Sequence, residues 1–380
     1  MWVRAYRGLE PPYLYKKDFI QFYLMAKAAE AGVPVYTPLK DLARQFEPEL
    51  GNYHQHPSAY PPPIVFLVRP LAKLSYVPAL LVWDAVEVLC FVIASLLVVQ
   101  YFRRQTRVDL IVMVIWMCVP WPPFHHDLYH GQVMMTMLLL LTGTWLALTS
   151  GRENLAGLLL GLSFALKLYG WPIALFLLLK RKFRTVFLAI GVFALLNAAV
   201  AAWQGVGTLT EYYLKVAPAI GRIYRTHPLN FSLFAQGSGV FPPWFGFMLV
   251  AVVLVLSLVL ALRSPDFDHA FMIMTAATII LSPVAWAHYM VTLMPSLCLV
   301  ATAKDLQMRE KVLVAFLFYV AVPEVYESIL PRTIVRLIPV LFVLTLIVLL
   351  SRQLRKPSAS TCEAGESIKP GAQAPGSLIA

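Results

Sequence analysis

The first candidate for chemistry in this chain is Asp18, within Lys16-Lys17-Asp18-Phe19-Ile20-Gln21-Phe22-Tyr23. A carboxylate among cations and aromatic rings, ahead of the first convincing apolar span, suits a general base that takes a proton from a hydroxyl. An Asp at this position equally suits the first turn of an ordinary helix, where it complements the helix dipole. On spacing alone the helix-start reading prevails, and the base needs the rest of the chain to support it.

Four further places keep polar groups inside an apolar chain. Lys167 lies in Gly161-Leu162-Ser163-Phe164-Ala165-Leu166-Lys167-Leu168-Tyr169. An ammonium in such a run costs several kcal/mol unless it pairs or reaches water, which marks it as functional ahead of simple snorkelling. Phe124-His125-His126-Asp127-Leu128-Tyr129-His130-Gly131-Gln132 gathers three His and an Asp within six residues. Such a cluster could ligate a metal, but the spacing matches no fixed zinc pattern, so sugar or phosphate contact through His126, His130 and Gln132 is the expected role, with no metal and no cofactor. Tyr212, Tyr213, Lys215, Arg222, Tyr224, Arg225 and His227 alternate cations with aromatics before Asn230-Phe231-Ser232. Such a loop suits an anionic group beside a sugar or lipid, and equally an interfacial aromatic belt. The Asn230 sequon is read as accidental. Leu281-Ser282-Pro283-Val284-Ala285-Trp286-Ala287-His288-Tyr289 is a Pro-broken apolar run with a His and a Tyr, the mark of an opened helix lining a site or of a bonded core His at a kink. Asp84 and Glu87, one turn apart in the first long span, are expected to pair with Lys167 or Arg69 in a structural role.

These groups need a scaffold, and composition says which kind. The 380 residues are 59% hydrophobic and only 13% charged, with a mean hydropathy of +0.70, far from a soluble domain. Apolar runs are expected over about 77–102, 108–122, 131–149, 155–169, 171–179, 185–203, 246–263, 270–284, 288–303, 311–323 and 333–351. The short ones are tolerable where they line a cavity inside the protein. The fold class is therefore all-α, a polytopic transmembrane helical bundle with the lipid bilayer as its partner. A net charge of +11 sits in short loops between spans, which orients the chain and excludes nucleic acid. The cysteines Cys90, Cys118, Cys298 and Cys362 show no paired spacing.

The basic clusters at Arg103, Arg104 and Arg107, at Arg152, at Lys180, Arg181, Lys182 and Arg184, and at Arg263, Lys304, Arg309, Lys311, Arg352, Arg355 and Lys356 fall on one side if the spans alternate. That side is cytoplasmic, so Asp18, the His125–His130 cluster and the 204–245 loop face outward. Residues 1–76 form a long first extracytoplasmic loop. It holds an amphipathic helix over about 17–31, with Phe19, Phe22, Tyr23 and Ala26 on one face, and a re-entrant or interfacial piece over Ile64–Leu74. Residues 77–351 form the bundle, and 352–380 a disordered cytoplasmic tail. An outward first segment with no apolar leader is explained by a span upstream of Met1 in a longer reading frame.

Asp18 with Phe19 and Tyr23, then Gly32, Tyr36 and Pro38, then Tyr60-Pro61-Pro62, resembles the first outer loop of glycosyltransferase family 87. Gly131-Gln132, Gly161 with Lys167, and Ser282-Pro283-Val284-Ala285-Trp286 with His288 and Tyr289 are similar to that family's later motifs, in the same order. The resemblance implies a GT-C fold and transfer of a mannosyl or similar hexosyl or pentosyl residue from a polyprenyl-phosphate donor to a glycolipid or cell-envelope glycan acceptor. It implies Asp18 as the base, and a His near the donor phosphate that maps onto His288. Lys167, Arg222 and Arg225 join His288 as expected phosphate-binding groups, and Tyr23, Tyr36, His126, His130, Gln132, Tyr169, His227, Trp286 and Tyr289 as substrate contacts. The chain departs from the family in lacking the span expected before the Asp loop. The alternative from another class is a transporter or flippase of a lipid-linked or anionic substrate, which would show paired halves with matching interruptions; none is visible.

Overall fold

Apolar runs must satisfy their backbone N–H and C=O groups along their own helix, and the described residues form helices and no strand. A computed structural model describes residue 10 and residues 13–50, 56–103, 108–236, 242–323 and 329–352. Arg104 and Arg107, and the expected tail from residue 353 with Arg355, Lys356 and Cys362, lie outside the described residues.

The first segment carries α1 (Phe19–Glu30), α2 (Leu39–Phe46) and α3 (Ile64–Val68), the last continued by a 3₁₀ turn at Arg69–Lys73. The bundle follows with α4 (Tyr76–Phe102), α5 (Val108–Cys118), α6 (Pro122–His130), α7 (Met134–Thr149), α8 (Glu153–Leu166), α9 (Trp171–Leu179) and α10 (Phe183–Gln204). A helix then opens at Gly207–Thr210, widens to π geometry over Glu211–Val216 and continues as α11 (Ala217–Tyr224). After it come α12 (Leu233–Gln236), α13 (Pro243–Arg263), α14 (Phe267–Leu281), a 3₁₀ stretch Ala287–Leu293, α15 (Met294–Thr302), α16 (Met308–Val320) and α17 (Arg332–Arg352).

Among the described residues four helices are long and apolar enough to cross a membrane: Tyr76–Phe102, Phe183–Gln204, Trp244–Arg263 and Ile334–Arg352. A fifth crossing is made if α6 and α7 count as one span broken by a 119° bend. The protein is thus the all-α, multi-pass bundle that its hydropathy implies. Of the shorter apolar runs, α14 becomes an interior helix, while α5 and α16 keep exposed apolar faces. Every residue of α14 from His269 to Leu281 is buried, which is how a helix apolar on all sides must sit.

Close backbone approach sets the packing of α8 on α10. A Cβ at Gly157 would stand 2.8 Å from the Thr185 carbonyl oxygen, and one at Gly161 would stand 2.7 Å from that of Ala189. Two small residues four apart allow this contact where apolar burial alone gives little drive between helices in lipid.

Two expectations for the first segment change. The helix at 17–31 is not amphipathic. Within α1 every residue from Phe19 to Ala29 except Lys27 is buried. Its polar positions are matched inside the fold, since Gln21 Oε1 accepts from Ala59 N at 3.0 Å and Lys27 reaches Glu47 at 3.2 Å. The Ile64–Leu74 piece is a five-residue helix and a 3₁₀ turn packed on α1. Arg69 pairs with Glu30 and covers the Trp203 ring at 4.7 Å.

Asp84 and Glu87 also find other partners than expected. Asp84 Oδ2 lies 3.5 Å from Lys17 Nζ. Glu87 Oε2 accepts from Met135 N and Thr136 N at 3.0 Å, and its other oxygen accepts from the Thr136 hydroxyl. Asp127 Oδ1 takes Met134 N at 3.1 Å. Two carboxylates thereby satisfy the first amides of α7, a helix start that is buried and has no water to turn to.

Candidate active site

The break between α6 and α7 builds one wall of the site. Gly131 ends α6 in the left-handed region at φ 60°, and a Cβ there would meet Phe19 Cβ at 2.8 Å. Only glycine both turns the chain here and lets α1 dock against the turn. The docking is fixed by Asp18 N donating to the His130 carbonyl at 2.7 Å and Lys17 Nζ donating to the Leu128 carbonyl at 2.9 Å. Burial holds the Lys17 amine below its usual range, with Asp84 pulling the other way.

The same turn presents Gln132. Its Nε2 donates to Asp18 Oδ2 at 2.5 Å, its Oε1 accepts from the Tyr60 hydroxyl at 2.5 Å, and its carbonyl accepts from Trp83 Nε1 at 3.0 Å. Gln21 Nε2 donates to Asp18 Oδ1 at 2.9 Å. Both carboxylate oxygens are therefore oriented by carboxamides, one local and one from the broken span. Burial, with Asp18 nearby adding to it, pushes the Tyr60 phenol well above its usual range, so it stays protonated.

Asp18, Tyr60, His130, Gln132, Lys167, Tyr169, His227, Trp286, His288 and Tyr289 line a single cavity of about 420 Å³. Lys167 follows the last turn of α8, its Nζ 4.1 Å from the Tyr289 ring centre and 5.6 Å from that of Tyr60. His288 is buried, its ring 6.1 Å from that of His130, and its Nε2 has no hydrogen-bond partner among the described residues. A carboxylate held in one orientation, an ammonium over aromatic faces and an imidazole now share one concave, partly apolar space. Such an arrangement can accept a proton at one end and stabilise negative charge at the other.

A second wall is the irregular stretch 282–286 that follows α14. Asn230 Oδ1 accepts from Ala285 N at 2.9 Å, Phe231 N donates to the Ala285 carbonyl at 3.1 Å, and Ser232 Oγ donates to the Pro283 carbonyl at 3.0 Å. His227 and Tyr224 set their rings 4.9 and 5.4 Å from Trp286. Burial pushes the Tyr224 phenol up to about 12. Arg336 of α17 clamps this loop. Its guanidinium donates to the carbonyls of Thr226 at 2.7 Å, His227 at 2.6 Å, Ala235 at 3.2 Å and Pro228 at 3.3 Å.

Five expected site residues stand off the cavity lining. Arg222 is exposed and Arg225 half-buried, although Gly221 and Tyr224 of the same helix line the cavity. The Tyr23 hydroxyl lies 2.8 Å from both Glu47 Oε1 and the Leu74 carbonyl. Tyr36 donates to the Tyr60 carbonyl at 2.8 Å and stacks on Tyr212. His126 packs its ring 6.0 Å from that of His130.

Four residues that build the site were not singled out as such from sequence. Gln21 carries a signal in its place three residues after Asp18 on a helix. Arg336 carries one as a cation inside the last apolar run. Lys17 and Asn230 carry none, because their partners are remote. Asn230 is fully buried with its amide engaged, so its sequon is closed to modification in the folded protein. Among the described residues no three His, Cys, Asp or Glu side chains gather as a metal site.

No curated protein and no solved structure shows a significant match to this chain. A family model does, over residues 59–285, a stretch that holds Tyr60, His130, Gln132, Lys167 and Ala285 and leaves Asp18 and His288 outside it. The matched stretch is more than half of the chain, and with the helical bundle around the cavity it establishes that this membrane protein belongs to glycosyltransferase family 87.

Proposed function

We propose that the protein transfers a mannosyl residue, or a similar hexosyl or pentosyl residue, from a polyprenyl-phosphate donor to a hydroxyl of a glycolipid or cell-envelope glycan. The observation that carries this reading is the carboxylate of Asp18, fixed by Gln21 and Gln132, on the same cavity as Lys167 and His288. In this mechanism the acceptor oxygen attacks the anomeric carbon as its proton passes to Asp18. The bond from that carbon to the phosphate oxygen breaks, and its electron pair leaves on the phosphate. A single displacement inverts the anomeric centre.

Lys167 is the group that meets the growing phosphate charge, aided by a hydrogen bond from His288. Aromatic faces at Tyr60, Tyr169, Trp286 and Tyr289 suit a sugar ring and the start of an apolar chain. Arg222 and Arg225 are then left to steer the anionic donor from outside the lining. The basic loops at Arg152, Lys180–Arg184 and Lys304–Lys311 support an extracytoplasmic cavity in this reading, if the spans alternate.

The test is direct. Membranes containing the protein are incubated with radiolabelled polyprenyl-phosphate mannose, and the lipid extract is searched for a larger labelled glycolipid. Its appearance only in membranes with the wild-type protein supports the reading. No labelled product with this donor or with polyprenyl-phosphate pentose, in membranes rich in envelope glycolipids, overturns it.

A further inference from the structure

A second concave feature shares no residue with the cavity around Asp18. It is a groove of about 340 Å³ between α5, α15 and α16, lined by Met113, Val114, Met117, Leu297, Val300, Ala301, Met308, Lys311, Val312, Val314, Ala315 and Phe318. Met308 and Val312 on its rim are 74% and 58% exposed, while Phe318 at its closed end is 3% exposed. That end is sealed by Trp121, which stacks on Phe318 at 3.9 Å and donates to its carbonyl at 2.6 Å. Lys311 is the one charged residue of the lining.

Length and charge decide the occupant. Met308 and Phe318 are ten residues apart on one helix, so the groove runs about 15 Å at 1.5 Å per residue. That is half of the roughly 30 Å hydrocarbon core, the depth of one leaflet. The open end lies at the loop between α15 and α16, where Lys304 is exposed. Lys311 Nζ donates to the Ala301 carbonyl at 2.9 Å, which fixes it at the mouth. Among the described residues the acids nearby are Asp305, which is exposed, and Glu310, which accepts from Arg352 at 2.7 Å and from Gln307 N at 2.9 Å. Among the described residues the mouth sets Lys304 and Lys311 against Asp305, with Glu310 paired to Arg352, while the groove behind it is apolar and flexible through three methionines.

We propose that this groove is a binding site for an anionic phospholipid of the leaflet at the basic face, one acyl chain lying along α16 and the headgroup phosphate against Lys311 and Lys304. A basic side chain near a lipid phosphate contributes on the order of 1 kcal/mol, or about a five-fold difference in affinity. The site is separate from the transfer reaction and stands or falls without it.

The experiment uses the purified full-length protein in detergent, titrated with dioleoyl phosphatidylglycerol or dioleoyl phosphatidylcholine, with retained lipid counted by native mass spectrometry. Wild type is expected to retain one phosphatidylglycerol at least about five-fold more tightly than phosphatidylcholine. Lys311→Gln should remove that preference, and Ala315→Trp, which fills the groove, should remove the tightly held lipid altogether. Equal retention of the two lipids by wild type overturns the proposal. So does unchanged phosphatidylglycerol retention in Ala315→Trp, or displacement of that lipid by an equal concentration of polyprenyl phosphate, which would give the groove to the donor's tail.

Discussion

Replacing Asp18 by Asn tests the base while barely touching the architecture. Asp18 offers two acceptors, one to Gln21 Nε2 and one to Gln132 Nε2. Asn offers one acceptor and one donor, so one Gln amide must turn round. Gln21 is locked, because its Oε1 already accepts from Ala59 N and a turned amide would set N–H against N–H. Gln132 is not, because the group donating to its Oε1 is the Tyr60 hydroxyl, which can rotate and accept instead. The substituted network keeps its bond count, and the expected stability loss is about 1 kcal/mol or less, the scale of one rearranged hydrogen bond. That corresponds to a melting shift of only a few degrees. Loss of a general base costs roughly 10²–10⁴ in rate, or about 2.7–5.4 kcal/mol of barrier at 1.36 kcal/mol per tenfold. The two effects are far enough apart to separate. Purified Asp18→Asn should melt close to wild type, remain protected by the polyprenyl-phosphate donor, and turn over at least about 100-fold more slowly with a glycolipid acceptor. Turnover within about threefold of wild type at an unchanged melting temperature would refute the base assignment. A fall in activity that merely tracks a large loss of stability would make Asp18 an anchor for α1.

Lys167→Gln should lower turnover by about 10²–10³ with little change in melting temperature, as expected for a group that meets charge only in the transition state; steady-state kinetics over a range of donor concentrations checks this. Gly131→Ala should destabilise by about 1–2 kcal/mol from its left-handed backbone and about 1–3 more from the contact with Phe19, seen as a lower melting temperature and lost activity together. Arg336→Met leaves four backbone carbonyls in an apolar setting, so the 226–235 loop should loosen, with a raised donor KM and faster proteolysis there, and Arg336→Lys should fall between. Cysteine at Arg184 should resist an impermeant thiol reagent in intact cells while cysteine at Lys215 reacts, the reverse result inverting the orientation argued from the basic loops.

The spans were legible because a long apolar run has few alternatives to a helix, and Tyr76–Phe102, Phe183–Gln204 and Ile334–Arg352 end within a few residues of the hydropathy boundaries. Lys167 and His288 were legible for a related reason, since an ionisable group in an apolar run is costly enough to need a use. The character of α1 was not. Lys17, Gln21 and Lys27 look like a solvated face, but their partners Asp84, Ala59 and Glu47 are distant in sequence and turn that face into core. Helical phase explains Arg222. Cations between aromatics suggest an anion site, yet at one residue per 100° or so Gly221 and Tyr224 face the cavity and Arg222 points out. Gly131 was visible as a motif, while its contact with Phe19 is a property of the folded chain alone.

The carboxamide that steadies Asp18 has a consequence for how the enzyme is made. Gln132 follows Asp18 by 114 positions. At roughly 5–20 residues per second of synthesis, it emerges about 6–23 s later. Throughout that interval the acid is present and its holder is not, and Phe19, Phe22 and Tyr23 have yet to meet Trp83 and Tyr76 on the following helix. The first segment must therefore wait, its rings sheltered at the bilayer surface or by a chaperone, until the broken span arrives and closes on it. A chain halted before residue 132 carries the acid without the geometry. A nascent transferase is in this way left without its assembled site until the turn at Gly131 has formed.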